Sequence, residues 1–121
     1  PDRRAAYYRW LFFGAGPFEG VLTQYMCGFA VPAAKQYMVG FGTYSAVLDA
    51  LAQTLGNQPY LAGPEFTAAD VYVGSQIGWS VRAGHADGYP ALAAYWSRLA
   101  ARPAYARAKA LDDAAEADVA P

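Results

Sequence analysis

The sequence predicts an all-α fold, a bundle of helices packed around one buried central helix, and three observations carry that prediction. Of the 121 residues, 27 are alanine, against eight valines and a single isoleucine, Ile77. Alanine has the highest helix propensity, and strands favour the β-branched types that are scarce here. No stretch sustains the period-2 alternation of a half-buried strand, whereas apolar residues recur at spacings of three and four in several segments. The length suits one domain with its own core, and at 55% hydrophobic the chain is too apolar for disorder.

The first helical pattern runs from about Asp2 towards Phe29. It opens rich in aromatics, with Tyr7, Tyr8, Trp10, Phe12 and Phe13, and is interrupted by Gly14, Gly16 and Pro17. A proline inside a helix removes a backbone donor and kinks it, so this segment is one long bent helix or two in tandem. Pro32 marks a break after it. In the second pattern Tyr37, Phe41, Tyr44, Leu48, Leu51 and Leu55 are spaced 4, 3, 4, 3, 4. Those six form one stripe of a helix about 20 residues long. Gly56-Asn57 stops it, Pro59 prevents continuation, and a loop covers Gln58 to Phe66.

Phe66-Thr67-Ala68-Ala69-Asp70-Val71 then reads as a helix start. Thr67 suits the N-cap, where its hydroxyl accepts from the Asp70 backbone N–H. Asp70, three residues on, returns a bond to the Thr67 N–H, and its charge suits a helix N-terminus. Phe66 and Val71 occupy the staple positions flanking the box. The helix it opens, Val71 to about Arg82, has only Ser75, Gln76 and Ser80 as polar interior members. A helix apolar all round is buried all round, so this is the central one. Gly74 and Gly78 leave a flat strip on it for a neighbouring helix. After a loop holding His85, Pro90 sits at a first helical position, followed by Leu92, Tyr95, Trp96 and Leu99 on one face. Arg102-Pro103 begins a last short helix, and the acidic, Ala-rich tail from 112 to 121 is expected to fray.

Charge and residue counts narrow the function. Nine basic against ten acidic residues give a net charge of −1, without the basic excess of a nucleic-acid footprint. The longest uncharged runs, Gly20 to Ala34 among them, are 15 residues, short of the about 20 needed to span a membrane. The single Cys27 excludes an internal disulfide and reads as a small buried hydrophobe; a free thiol fits a reducing cytoplasm. With His85 the only histidine, a His-rich metal site is excluded and no metal is expected. Ser, His and Asp are present, yet no Gly-x-Ser-x-Gly elbow exists to support a hydrolase.

The order of these pieces resembles the C-terminal, all-helical domain of bacterial-type cytosolic glutathione S-transferases, over about Arg3 to Lys109. Arg4-Ala5-Ala6-Tyr7-Tyr8-Arg9-Trp10-Leu11-Phe12-Phe13 looks like the first helix after that family's interdomain linker. Gly16-Pro17-Phe18-Glu19 is similar to a Gly-Pro-x-Glu element of some bacterial members. Tyr60-Leu61-Ala62-Gly63-Pro64-Glu65 followed by the Phe66–Val71 box matches the family's capping segment. Tyr89-Pro90-Ala91-Leu92 and Arg102-Pro103-Ala104-Tyr105 match its closing helices.

The resemblance implies residues 1–3 as a linker remnant and a preceding thioredoxin-like domain that lies outside this chain. That domain would bind glutathione as co-substrate and activate its thiol, so no catalytic residue is expected among residues 1–121 and the chain alone is expected to be inactive. The helical domain would supply the wall of a site for an apolar electrophile, and the parent would be a cytoplasmic homodimer, formed partly through the first two helices of this domain. Tyr8, Phe12, Gly16 and Glu19, spaced 4, 4 and 3, share roughly one helical face and are the candidate substrate-binding residues, with Trp79 an outlying candidate. Aromatics at helical spacing more often form core, so the burial of Tyr8, Phe12 and Trp79 decides between the two roles. Phe66, Thr67, Asp70 and Val71 are assigned to folding. The alternative is a non-catalytic helical module of the same fold that binds other proteins.

Overall fold

A computed structural model describes residues 3–119 and contains six α-helices and no strand among them. The linker expectation for Pro1 and Asp2 lies outside the described residues, as do the last two positions, 120 and 121, of the expected frayed tail.

The aromatic first segment is one continuous bent helix. α1 (Arg4–Phe13) passes through a π-helical turn, Gly14–Phe18, into α2 (Glu19–Cys27). The cause lies in Pro17, whose ring nitrogen has no proton for the ordinary i→i−4 bond. The chain shifts register around it, and the Glu19 N–H donates to the Gly14 carbonyl five residues back. Trp10 and Phe18 anchor opposite ends of the bend at 2% and 0% exposure. Gly14 is where the bend meets the rest of the bundle, since a Cβ there would lie 2.8 Å from Val73 Cγ2. α2 ends at Gly28, in left-handed conformation with φ 67°.

The expected 20-residue stripe helix is shorter. Residues Ala33–Met38 form a 3₁₀ turn, the chain bends at Gly40 to Gly42, and α3 occupies only Tyr44–Asn57. The physical reason is local: Gly42 takes φ 68°, and Thr43 then caps α3 by accepting from the Ala46 N–H at 3.2 Å. Leu48, Leu51 and Leu55 are core residues as the stripe requires, while Tyr37 stands 85% exposed and Phe41 packs over the bare Cα of Gly20. Cys27 is also exposed rather than buried, because α2 ends beyond the core.

α4 (Ala68–Arg82) is central in its contacts, packing on α1, the π turn and α5 (Pro90–Ala100). It is not buried on every side. Ala69, Asp70, Val73, Ile77 and Ser80 face inward, but Val71, Tyr72 and Ser75 form an outer face. Gly74 and Gly78 admit side chains rather than backbone, since Cβ atoms there would overlap Leu99 and the Trp96 ring of α5. Pro90 is at the first turn of α5, and Leu92, Tyr95 and Leu99 are buried. The last helix, α6 (Pro103–Val119), is longer than expected and runs through most of the tail assigned to fraying; its Lys109–Asp113 pair at 2.7 Å is an i,i+4 contact.

Candidate functional site

Two constellations stand out, one buried and one exposed. The buried one centres on Asp70, whose carboxylate has 0% exposure and no cationic partner among its hydrogen bonds. Oδ2 accepts from the Thr67 N–H at 2.8 Å, the expected return bond of the capping box, and from the Thr67 hydroxyl at 3.0 Å. Oδ1 accepts from the Leu61 N–H and the Tyr95 hydroxyl, each at 2.9 Å. One side chain thus ties the loop before α4 and the middle of α5 to the first turn of α4. A buried carboxylate is tolerated when every lone pair is engaged, and here four donors converge on it. Burial and the Asp70 charge push the Tyr95 phenol far above its ordinary value, so it remains a proton donor.

The loop itself is pinned from two further sides. Gln58 Nε2 donates to the carbonyls of Tyr60 and Leu61 at 2.8 and 2.7 Å, and Arg98 Nη1 donates to the Pro59 carbonyl at 2.6 Å. The staple is only half made. Phe66 packs against the edge of Tyr60 and under the Arg102 guanidinium, 3.6 Å from its ring centroid, whereas Val71 is 59% exposed on the outer face of α4.

The exposed constellation lies along α1 and the π turn. Tyr8 is 43% and Phe12 73% exposed, so these aromatics are not core. Gly16 is open, with nothing within 4 Å of where its Cβ would lie, and Glu19 sits at the start of α2. Glu19 Oε2 accepts from the Tyr72 hydroxyl at 3.3 Å, which fixes the carboxylate towards α4. Burial and that carboxylate raise the Tyr72 phenol above its ordinary value, so it stays neutral as the donor. The Gly14 carbonyl, turned by the π register, also accepts from Gln76 Nε2 at 3.2 Å, so α4 holds the bend in place.

Four of the five expected substrate residues, Tyr8, Phe12, Gly16 and Glu19, are thus exposed along the bent helix. Trp79 does not join them. It is half-buried against the core and packs on His85, whose ring also meets Tyr25, with centroids 5.2 and 4.7 Å apart. The reason is its place near the end of α4, beside the C-terminal end of α2. Composition and spacing missed Tyr72 and Gln76, which position the bend; the only trace of them in the sequence is that both carry polar tips on a mostly apolar helix.

No helix among the described residues is long and apolar enough to cross a membrane. The family described as glutathione S-transferase, C-terminal domain, matches residues 31–98 of this chain. An uncharacterized GST-like protein of Streptococcus mutans serotype c is 32% identical over 123 aligned residues, covering 91% of this chain and 46% of that protein. The chain thus spans about half the length of this curated relative.

Proposed function

The chain belongs to the glutathione S-transferase C-terminal domain family, and from that premise we propose that it is the electrophile-binding half of a cytoplasmic glutathione transferase. The observation that carries this reading is the pair of aromatics Tyr8 and Phe12, exposed on a helix whose bend is held rigid from α4. An apolar ring laid against Phe12 and Tyr8 gains contact area and edge or face stacking worth about 0.5–1.5 kcal/mol per aromatic pair. Gly16 leaves room for the ligand beside Phe12, and Glu19 supplies a polar rim.

The reaction is attack of the glutathione thiolate on an electrophilic carbon, forming a carbon–sulfur bond while a leaving group departs or an adjacent unsaturated bond takes up the electron pair. A thioredoxin-like domain outside this chain holds glutathione and stabilises its thiolate. The residues described here bind and orient the second substrate and exclude water from one side of it. The parent works as a homodimer.

The test is a conjugation assay on the full-length protein with glutathione and a small aromatic electrophile, alongside the 121-residue chain. We expect turnover from the full-length protein and none from the chain alone. No turnover with any electrophile, together with pull-down of a defined protein partner through α1, would overturn the enzyme in favour of a helical interaction module.

A further inference from the structure

The π turn does more than accommodate Pro17. Trp10 and Phe18 are both core residues, 2% and 0% exposed, and lie eight residues apart. In an uninterrupted α-helix that spacing sets them about 80° apart around the axis. One extra residue in the turn takes up most of that angle, so both rings reach the core. The same extra residue sets the outward direction of Tyr8 and Phe12, because α1 turns by about 100° relative to α2 for each residue gained or lost between them.

Three side chains of α4 converge on this turn at one residue, Gly14. Val73 and Tyr72 close over its Cα, where a Cβ would lie 2.8 and 3.0 Å from them. Its carbonyl accepts twice, from the Glu19 N–H inside the turn and from Gln76 Nε2 across to α4 at 3.2 Å. A peptide carbonyl can only accept, so it fixes which end of the Gln76 amide faces it. The other end, Oε1, is buried with no hydrogen-bond partner among the described residues. A neutral hydrogen bond returns less than a buried unpaired acceptor costs. Gln76 is therefore a poor choice for stability alone, and apolar atoms of the same shape would remove both effects together.

We propose that Gln76 is a positioning residue for the electrophile, a role that rests on the reading of α1 as the electrophile wall. By tying the Gly14 carbonyl to α4, it holds the extra residue of the turn in place and so fixes the direction in which Tyr8 and Phe12 face. Pro17 alone does not define this register. It forbids the bond from residue 17 to the Phe13 carbonyl, and a simple kink accommodates that loss as well as a π turn does. In an α register the Gly14 carbonyl would accept along the axis from residue 18; in the wide turn it accepts from Glu19 and lies open at its side to Gln76. Tyr72 ties the far end of the turn through Glu19 at 3.3 Å, but from an exposed position, so the half-buried Gln76 is the firmer tie.

Steady-state conjugation of a chloronitrobenzene by the full-length protein, read beside urea unfolding of the same samples, decides it. Gln76→Met, an unbranched isostere, should leave the unfolding midpoint equal or higher. It should raise KM for the electrophile roughly 5-fold, the size of one lost aromatic contact, with KM for glutathione unchanged. Pro17→Ala restores the N–H that an α register needs. It should shift the electrophile KM by less than about 2-fold alone and by at least about 3-fold more in the Gln76→Met protein, a coupling that independent sites do not show. Gln76→Leu repeats the test with a second side chain lacking both amide groups. If Met and Leu each unfold the protein, or lower its stability with kcat and both KM values changing together, Gln76 belongs to folding and the positioning role is overturned. Independent effects of Gln76→Met and Pro17→Ala overturn the register as its cause. An unchanged electrophile KM in Gln76→Met beside a raised one in Phe12→Ala overturns the role of Gln76 and leaves the wall in place. No turnover of any electrophile by the parent overturns the wall and the positioning role together.

Discussion

Tyr95 and Tyr37 show how differently the two ends of this molecule use the same residue type. Tyr95 is 1% exposed and spends its hydroxyl on Asp70; Tyr37 is 85% exposed. Around Tyr95, α4, α5 and the loop between α3 and α4 form a region in which the polar groups converge on one carboxylate. Along α1, the π turn, α2 and the 3₁₀ turn, Trp10, Phe18 and Val21 hold the inner face, two hydrogen bonds from α4 fix the bend, and Tyr8, Phe12, Tyr25, Phe29 and Tyr37 stand exposed. Stability and binding surface are thus largely separate, and a substitution should affect one or the other according to its end.

The largest effect is expected at the carboxylate. Asp70→Ala strands the Leu61 and Thr67 N–H groups and the Tyr95 hydroxyl, and each unsatisfied buried donor costs about 1–3 kcal/mol. A loss of about 3–5 kcal/mol in urea unfolding is expected after partial relaxation; a loss under about 1 kcal/mol would dissolve the contrast between the two ends.

Alkaline titration sharpens the same comparison. The Tyr95 phenol is raised by burial and then by Asp70, so the folded chain keeps its proton where the unfolded chain, with tyrosines near 10, gives it up. Its contribution is complete below about pH 10 and declines as pH rises from there towards the folded value, by up to about 1.4 kcal/mol per pH unit. Tyr44, also raised by burial, adds in the same direction. Tyr95→Phe should flatten the slope of unfolding free energy above pH 10; an unchanged slope would assign the alkaline loss elsewhere.

Next in size is the cap of α3. Thr43→Ala removes the acceptor for the Ala46 N–H and should cost about 1 kcal/mol by thermal or urea unfolding. Tyr37→Ala, at a position the expected stripe placed in the same helix but which stands exposed, should stay within about 0.5 kcal/mol. Were Tyr37→Ala the more damaging of the two at low protein concentration, the stripe helix would be restored and the 3₁₀ turn refuted.

The sequence made the Asp70 end more legible than the other, and the reason is range. The capping box is an i,i+3 relation, Pro90 marks its own helix start, and Leu92, Tyr95 and Leu99 follow one helical face, so all were readable locally. That Asp70 also receives Leu61 and Tyr95, nine and 25 residues away, depends on packing that no local pattern encodes. At the other end, periodicity ran Tyr37 and Phe41 into α3 because spacing counts apolar residues and is blind to a left-handed Gly42 and the Thr43 cap behind it. The candidate face was half legible. Spacing marked Tyr8, Phe12, Gly16 and Glu19, which are all exposed, whereas Trp79 on the central helix is half-buried and packed on His85. The hydrogen bonds from Tyr72 and Gln76 that hold the bend cross more than 50 residues of chain and left no signature.

The smallest expected change in stability accompanies the most direct test of function. Phe12→Ala in the full-length protein should leave the urea midpoint within about 0.5 kcal/mol of the parent, because the ring is 73% exposed. In steady-state conjugation the same variant should raise KM for an aromatic electrophile about 5- to 10-fold, as loss of one aromatic contact predicts, with KM for glutathione unchanged. Unaltered kinetics with every electrophile that the parent turns over would contradict the assignment of the α1 face as the electrophile wall.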